Sequence, residues 1–204
     1  MPFAKEIILI FGSYALGCFT TGYYLVRLRT GKDIRSLGSG NVGTRNVGRV
    51  IGKLGLVITF LGDAGKGAVV VLAASYLGLE TWAVMLAIIA VVAGHIWPVQ
   101  LGLRGGKGVA TSLGALMVFD WQLVAALIVV TGLGFALVRR FTPSGLMAVL
   151  LAPVASLAVG QPLTVVLGVS SLASIVLVAH RTDIRLILRL AHERTGKRQT
   201  KLPD

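Results

Sequence analysis

Apolar residues run along this chain in long stretches near 6 to 26, 54 to 79, 81 to 101, 108 to 138 and 144 to 179, without amphipathic spacing inside them. A bilayer core takes about 20 mostly apolar residues per helix, so the last two stretches are too long for one span each. Phe119-Asp120-Trp121 interrupts one and Gly160-Gln161-Pro162 the other, and such charge, glycine and proline punctuation marks turns. The pattern predicts an all-α, polytopic integral membrane protein of about seven transmembrane helices, the fourth and sixth short. A single membrane domain would fill 1–204, with a seven-helix bundle over 1–180 and a basic tail over 181–204.

Charge placement sets the orientation of that bundle. The segments 27–53, 102–107 and 139–143, together with the tail from residue 180, carry 18 of the 20 Lys and Arg, leaving only Lys5 and Lys66 elsewhere. Cytoplasmic loops concentrate Lys and Arg, so the N-terminus is expected outside and the C-terminus in the cytoplasm. The opposite turns carry Glu80 and Asp120 instead. The net charge of +12 then needs anionic membrane lipid and no nucleic acid as its partner. One cysteine, Cys18, excludes an intrachain disulfide and any CxxC metal site.

Two of the basic segments are unlike ordinary connectors. Residues 31 to 55, "GKDIRSLGSGNVGTRNVGRVIGKLG", hold seven glycines beside Ser39, Asn41, Thr44, Arg45, Asn46 and Arg49. Glycines let backbone amides turn toward an anion, and Arg, Ser and Asn add donors that a phosphate accepts. A flexible basic loop at the headgroups would have the same composition. The second segment, "LRGGKGVATSLG" at 103 to 114, follows "GHIWP" at 94 to 98. It fails the nucleotide P-loop pattern GxxxxGK[ST] twice, at Leu101 and at Gly108. Its alternative use is a set of free amides at a helix N-terminus, where the dipole favours anions, with Lys107 supplying a full charge. A tight turn with one topology-setting lysine would need fewer glycines.

Inside the second span, Asp63 and Lys66 are three apart and share a helical face. A charge at the bilayer centre costs about 2.5–3.5 kcal/mol on insertion scales, so the two are expected to pair within the bundle as support for the site. His95, at a helix end near Pro98, reads as a structural hydrogen-bonding residue. In the tail, Arg181, Arg185 and Arg189 recur every four residues with Ile184, Ile187 and Leu188 between them, the pattern of an interfacial amphipathic helix. His180 and Asp183 stand at its start.

Taken together, "GSGNVG" with Asn46 and Arg49, "DAGKG", "GHIWP" followed by "GGKGVAT", and "HRTDI" resemble the bacterial acyl-phosphate-dependent glycerol-3-phosphate acyltransferases, the PlsY family. The resemblance covers nearly the whole chain. It implies transfer of a fatty acyl group from acyl phosphate to the 1-hydroxyl of glycerol 3-phosphate, giving lysophosphatidic acid and phosphate, the first step of phospholipid synthesis. It implies no metal and no cofactor, a bacterial cell membrane location, and an active site facing the cytoplasm. Carried over residue by residue, Lys107, Ser39, Arg49 and His180 would be catalytic. Gly40, Asn41, Asn46, Arg45, Gly105, Gly106, Gly108, Thr111 and Asp183 would bind substrate, with Asp63, Lys66 and His95 supporting.

Two positions depart from the family pattern. Arg45 stands where an uncharged residue is usual, and Asp183 where asparagine is usual. Ionised aspartate cannot donate to a phosphate, so the expectation is that Arg45 pairs with Asp183 and restores local balance. The rivals are a divergent non-catalytic paralogue acting as a membrane scaffold and, behind it, a small-solute transporter. No inverted repeat and no ladder of charges through the spans supports the transporter. The HxxxxD pattern of acyl-CoA-dependent acyltransferases is missing, since Gln100, Arg185 and Lys197 stand five residues beyond the three histidines.

Overall fold

The computed structural model describes residues 3–199 of the chain. Its described residues form helices joined by short loops: α1 Ala4–Cys18, α2 Thr21–Thr30, α3 Thr44–Tyr76, α4 Thr81–Ile96, α5 Val109–Phe119, α6 Trp121–Val138, α7 Phe141–Ala158, α8 Leu163–Ala179 and α9 Arg181–Gln199. The all-helical, multi-pass architecture is as expected. Among the described residues, five helical stretches are long and apolar enough to cross a membrane, or six if α8 and the start of α9, bent by 67°, count as one. The hydropathy pattern predicts about seven, the fourth and sixth short. The expected fourth span, α5, has 11 residues, and at 1.5 Å per residue it reaches about 16 Å, roughly half a bilayer core.

Local chemistry sets the helix ends. Asp120 caps α6 by accepting from the amides of Gln122 at 2.9 Å and Leu123 at 3.2 Å, and it also accepts from Gln161 Nε2 at 2.6 Å. Asn41 accepts from the Gly43 amide at 2.7 Å, an Asx turn that aims the chain into α3. The first eight residues of α3 belong to what reads in sequence as the first loop. Gly52, at φ 84°, breaks the helix after them, a dihedral that only glycine adopts without strain.

Helices approach closely where small residues meet. A Cβ on Gly17 or Gly94 would collide with backbone across the α1–α4 contact, and one on Gly67 or Gly114 would do so across α3–α5. Such crossings suit membranes, where apolar burial gives no net drive and close van der Waals packing must hold helices together. The main apolar core lies among α3, α4, α5 and α8, around Val70, Ile88, Val91, Ala115 and Val169.

The polar loops converge at one end. Arg35 Nη1 donates to Leu101 O at 2.7 Å, Arg45 Nη1 to Thr142 Oγ1 at 2.9 Å, and Lys107 Nζ to Asp183 Oδ2 at 2.5 Å. The last two bonds join the four basic segments in pairs, and the first ties residues 27–53 to Leu101, immediately before 102–107. The Phe3 ring meets Trp82 edge-on at 6.0 Å at the other end, so the N-terminal helix starts at the end opposite to the one where α9 begins.

Candidate active site

The convergent end holds a cavity of about 580 Å³. Its mouth is cationic: Arg45, Arg49 and Lys107 line it together with Ser39, Asn41, His180 and Asp183. One flank is apolar, built from Leu56 and Phe60 of α3, Leu113 of α5, and Phe141, Leu146 and Val149 of α7. Asp63 and His95 form the floor.

Asn46 holds the first loop with three side-chain hydrogen bonds. Its Oδ1 accepts from the Ser39 amide at 2.8 Å, and its Nδ2 donates to Leu37 O and Asn41 O, each at 2.9 Å. That satisfies three of the four hydrogen bonds its amide can make. The side chain is buried, and a Cβ on Gly38 would strike its Oδ1. Asn46 therefore shapes the loop that presents Ser39 and Asn41, and it also lines the cavity.

The Gly-Gly-Lys-Gly segment folds back on the end of α4. The Gly105 amide donates to Ile96 O and the Gly106 amide to His95 O, both at 3.0 Å. These amides are committed, which corrects the expectation that they are free for phosphate, and neither residue lines the cavity. The amides that remain open there include those of Gly108, Val109 and Ala110, at the start of α5 and along the cavity wall. Gly108 sits at φ 82°, and this left-handed turn points the α5 N-terminus, with its partial positive charge, into the mouth. Thr111 lies one turn deeper, buried against Gly67 with its hydroxyl unpartnered. It does not reach the cavity, and neither does Gly40.

Beneath the floor, Lys66 donates to Gly17 O at 3.0 Å, to Phe19 O at 2.8 Å and to His95 Nδ1 at 2.8 Å. It lies 3.3 Å from Asp63 Oδ1, which accepts from the Thr21 amide at 3.3 Å. The pair thus staples the break between α1 and α2: the ammonium takes the carbonyls that end α1, and the carboxylate takes an amide that starts α2. Every charge is answered, as a buried charge requires. With Nδ1 accepting from the ammonium, His95 carries its proton on Nε2, which abuts Gly106.

At the other wall, His180 Nδ1 donates to Val176 O at 2.9 Å, leaving Nε2 at 3.9 Å from Asp183 Oδ2. The expected Arg45–Asp183 pair does not form. Arg45 instead reaches Thr142 and lies over the Phe141 ring, 5.8 Å from its centroid, while Lys107 takes Asp183. Among the described residues, no group of three His, Cys, Asp or Glu is placed to hold a metal ion. Sequence reasoning misses Thr142, Val109 and Ala110 as parts of the site. None of the three carries a charge, and the last two, although inside the quoted GGKGVAT stretch, matter through their backbone.

Comparisons with known proteins place the chain as a whole. The family model described as glycerol-3-phosphate acyltransferase matches residues 7–190. A glycerol-3-phosphate acyltransferase 1 of Desulfitobacterium hafniense (strain Y51) is 46% identical over 189 residues, 93% of this chain and 94% of the relative. A glycerol-3-phosphate acyltransferase of Synechococcus sp. (strain JA-2-3B'a(2-13)) is 40% identical over 97% of this chain and 98% of its own. Among solved structures, the integral membrane glycerol 3-phosphate acyltransferase PlsY in its glycerol 3-phosphate form superposes with a TM-score of 0.83 at 30% identity, covering 91% of this chain and 93% of that one. Its lysophosphatidic acid form gives 0.80 at 28% identity over the same shares. On sequence and on fold, this chain belongs to the glycerol-3-phosphate acyltransferase family.

Proposed function

We propose that this protein transfers a fatty acyl group from acyl phosphate to the 1-hydroxyl of glycerol 3-phosphate. The observation that carries the reading is a cavity whose cationic mouth runs directly into an apolar flank between α3, α5 and α7. That combination fits a phosphorylated head and a hydrocarbon tail held in one molecule, with a second phosphate beside the head. The bundle would be a single membrane domain in the bacterial cell membrane, with the basic end and its site facing the cytoplasm, as the positive-inside bias favours. Acyl phosphate and membrane lipid are its proposed partners beside glycerol 3-phosphate.

The chemistry asks little of the side chains. The donor is already activated, so the protein must orient two substrates, offset their charge and stabilise an oxyanion. Lys107, Arg49 and the amides at the start of α5 supply fixed positive charge. The hydroxyl oxygen attacks the acyl carbonyl carbon, the bond from that carbon to the phosphate oxygen breaks, and inorganic phosphate leaves. The hydroxyl proton goes to a substrate phosphate. No base lies within hydrogen-bond distance of Ser39 among the described residues, and an unassisted serine is a weak nucleophile, so transfer is direct.

The test is reconstitution of purified protein in bilayers with glycerol 3-phosphate and either acyl phosphate or acyl-CoA. Lysophosphatidic acid from acyl phosphate alone supports the reading, and product from neither donor refutes it. Lys107→Ala should abolish transfer while the protein still inserts and unfolds at its usual temperature. A fully active variant would remove Lys107 from the site.

A further inference from the structure

We propose that Asp183 is a resident anion that competes with substrate phosphate for Lys107 and so sets how tightly phosphate is held; the inference rests on the reading of Lys107 as a phosphate-holding group. The acids lining the cavity are Asp63 and Asp183. Asp63 is spent on Lys66 and the Thr21 amide at the floor, whereas Asp183 stands at the mouth with its carboxylate on the Lys107 ammonium. Arg45 is turned to Thr142 and Phe141. Lys107 is thus the one cation lining the cavity mouth, among the described residues, that is neutralised by a carboxylate.

An ionised carboxylate only accepts hydrogen bonds, so Asp183 offers a phosphate nothing and presents like charge to it. A phosphate reaching Lys107 must either displace that carboxylate or bind beside it. Both routes weaken phosphate binding relative to a bare ammonium. The same contact quickens release of inorganic phosphate, because the carboxylate retakes Lys107 as the product leaves. Its position fits a reversible competitor: both side chains are a little over a quarter exposed, and Asp183 sits in the first turn of α9, just beyond the 67° bend.

The test is equilibrium binding of inorganic phosphate and of glycerol 3-phosphate, measured by calorimetry on purified protein in nanodiscs. Asp183→Asn and Asp183→Ala should each bind both ligands about five-fold more tightly, the size of one partly exposed ion pair. Loss of a merely structural contact does not tighten binding. Equal or weaker binding by both variants overturns the proposal. Tighter binding without acyl transfer from acyl phosphate in any of the three proteins would sustain the competition and refute the proposed function. Absence of binding in all three overturns both.

Discussion

Gly106→Ala isolates the contact that sets where Lys107 stands. Gly106 does not occupy a left-handed backbone conformation, so alanine is compatible with its dihedrals and the change tests space alone. A Cβ there would lie 2.8 Å from His95 Cε1 and 2.9 Å from Cδ2, and closer still to Nε2. The imidazole cannot swing aside, because Lys66 holds Nδ1 from behind at 2.8 Å. Ordinary contact is restored only if the loop retreats by more than about 1 Å, and a 1 Å misplacement already costs about 10²-fold in rate. Overpacking of this kind also destabilises by about 1–3 kcal/mol. Initial rates in reconstituted bilayers should therefore fall about 100-fold, equivalent to about 2.7 kcal/mol of barrier, with a modest drop in unfolding temperature. Because the clash is pairwise, His95→Ala should restore part of the loss in the double variant. Wild-type kinetics for Gly106→Ala would refute the packing argument, and additive losses in the double variant would refute its assignment to His95.

Three further outcomes follow from the geometry. Asn46→Ala removes three hydrogen bonds from one buried amide and should destabilise the protein by about 1–3 kcal/mol while raising KM, because Ser39 and Asn41 lose their support; thermal unfolding and steady-state kinetics on the same sample check this. Lys66→Met leaves Asp63 buried without its cation and should cost about 3–5 kcal/mol, and a variant as stable as the parent would show that the α1–α2 break needs no staple. The Asp33 carboxyl lies outside the spans and is held below the usual carboxylate range, chiefly by its hydrogen bond to Arg35. Its contribution is fully present above the unfolded value of about 3.9 and is lost as pH falls through the lower folded value. Asp33→Asn should lower stability modestly at neutral pH, where the contribution is fully present, and flatten the acid limb below about pH 4, where the difference from the parent closes.

Periodicity and local spacing make part of this molecule legible in its sequence. The apolar runs locate the bundle, and the three-residue spacing of Asp63 and Lys66 implies their pairing. The same spacing cannot disclose that Lys66 serves the break after Cys18, since Gly17 and Phe19 lie 49 and 47 residues away. Hydropathy passes straight through that break, because Phe19 and Thr20 interrupt the helix without interrupting the apolar run. The glycines at 105 and 106 read as anion-facing amides because composition does not show which carbonyl has already claimed an amide. The partner of Asp183 escapes for a related reason: charge arithmetic favours Arg45, whereas the tight turn at Gly108 brings Lys107 nearer. The tail beyond residue 199 lies outside the described residues, while α9 up to that point is helical as its arginine repeat suggests.

The apolar flank of the cavity is only partly enclosed. Leu56 and Phe60 on one side and Phe141 on the other remain 37%, 37% and 62% exposed, and from Phe141 to Val149 the wall runs about 12 Å at 1.5 Å per residue. One leaflet's hydrocarbon is about 15 Å deep. A long acyl chain seated here would protrude sideways among the lipid tails, and the walls would then provide no molecular ruler. Product chain lengths would then mirror whatever mixture the cell supplies, with the bilayer acting as the far wall of the site. Competing two long acyl phosphates of different length in one reaction should return them in their input ratio, and a sharp preference would mean that the channel closes when occupied.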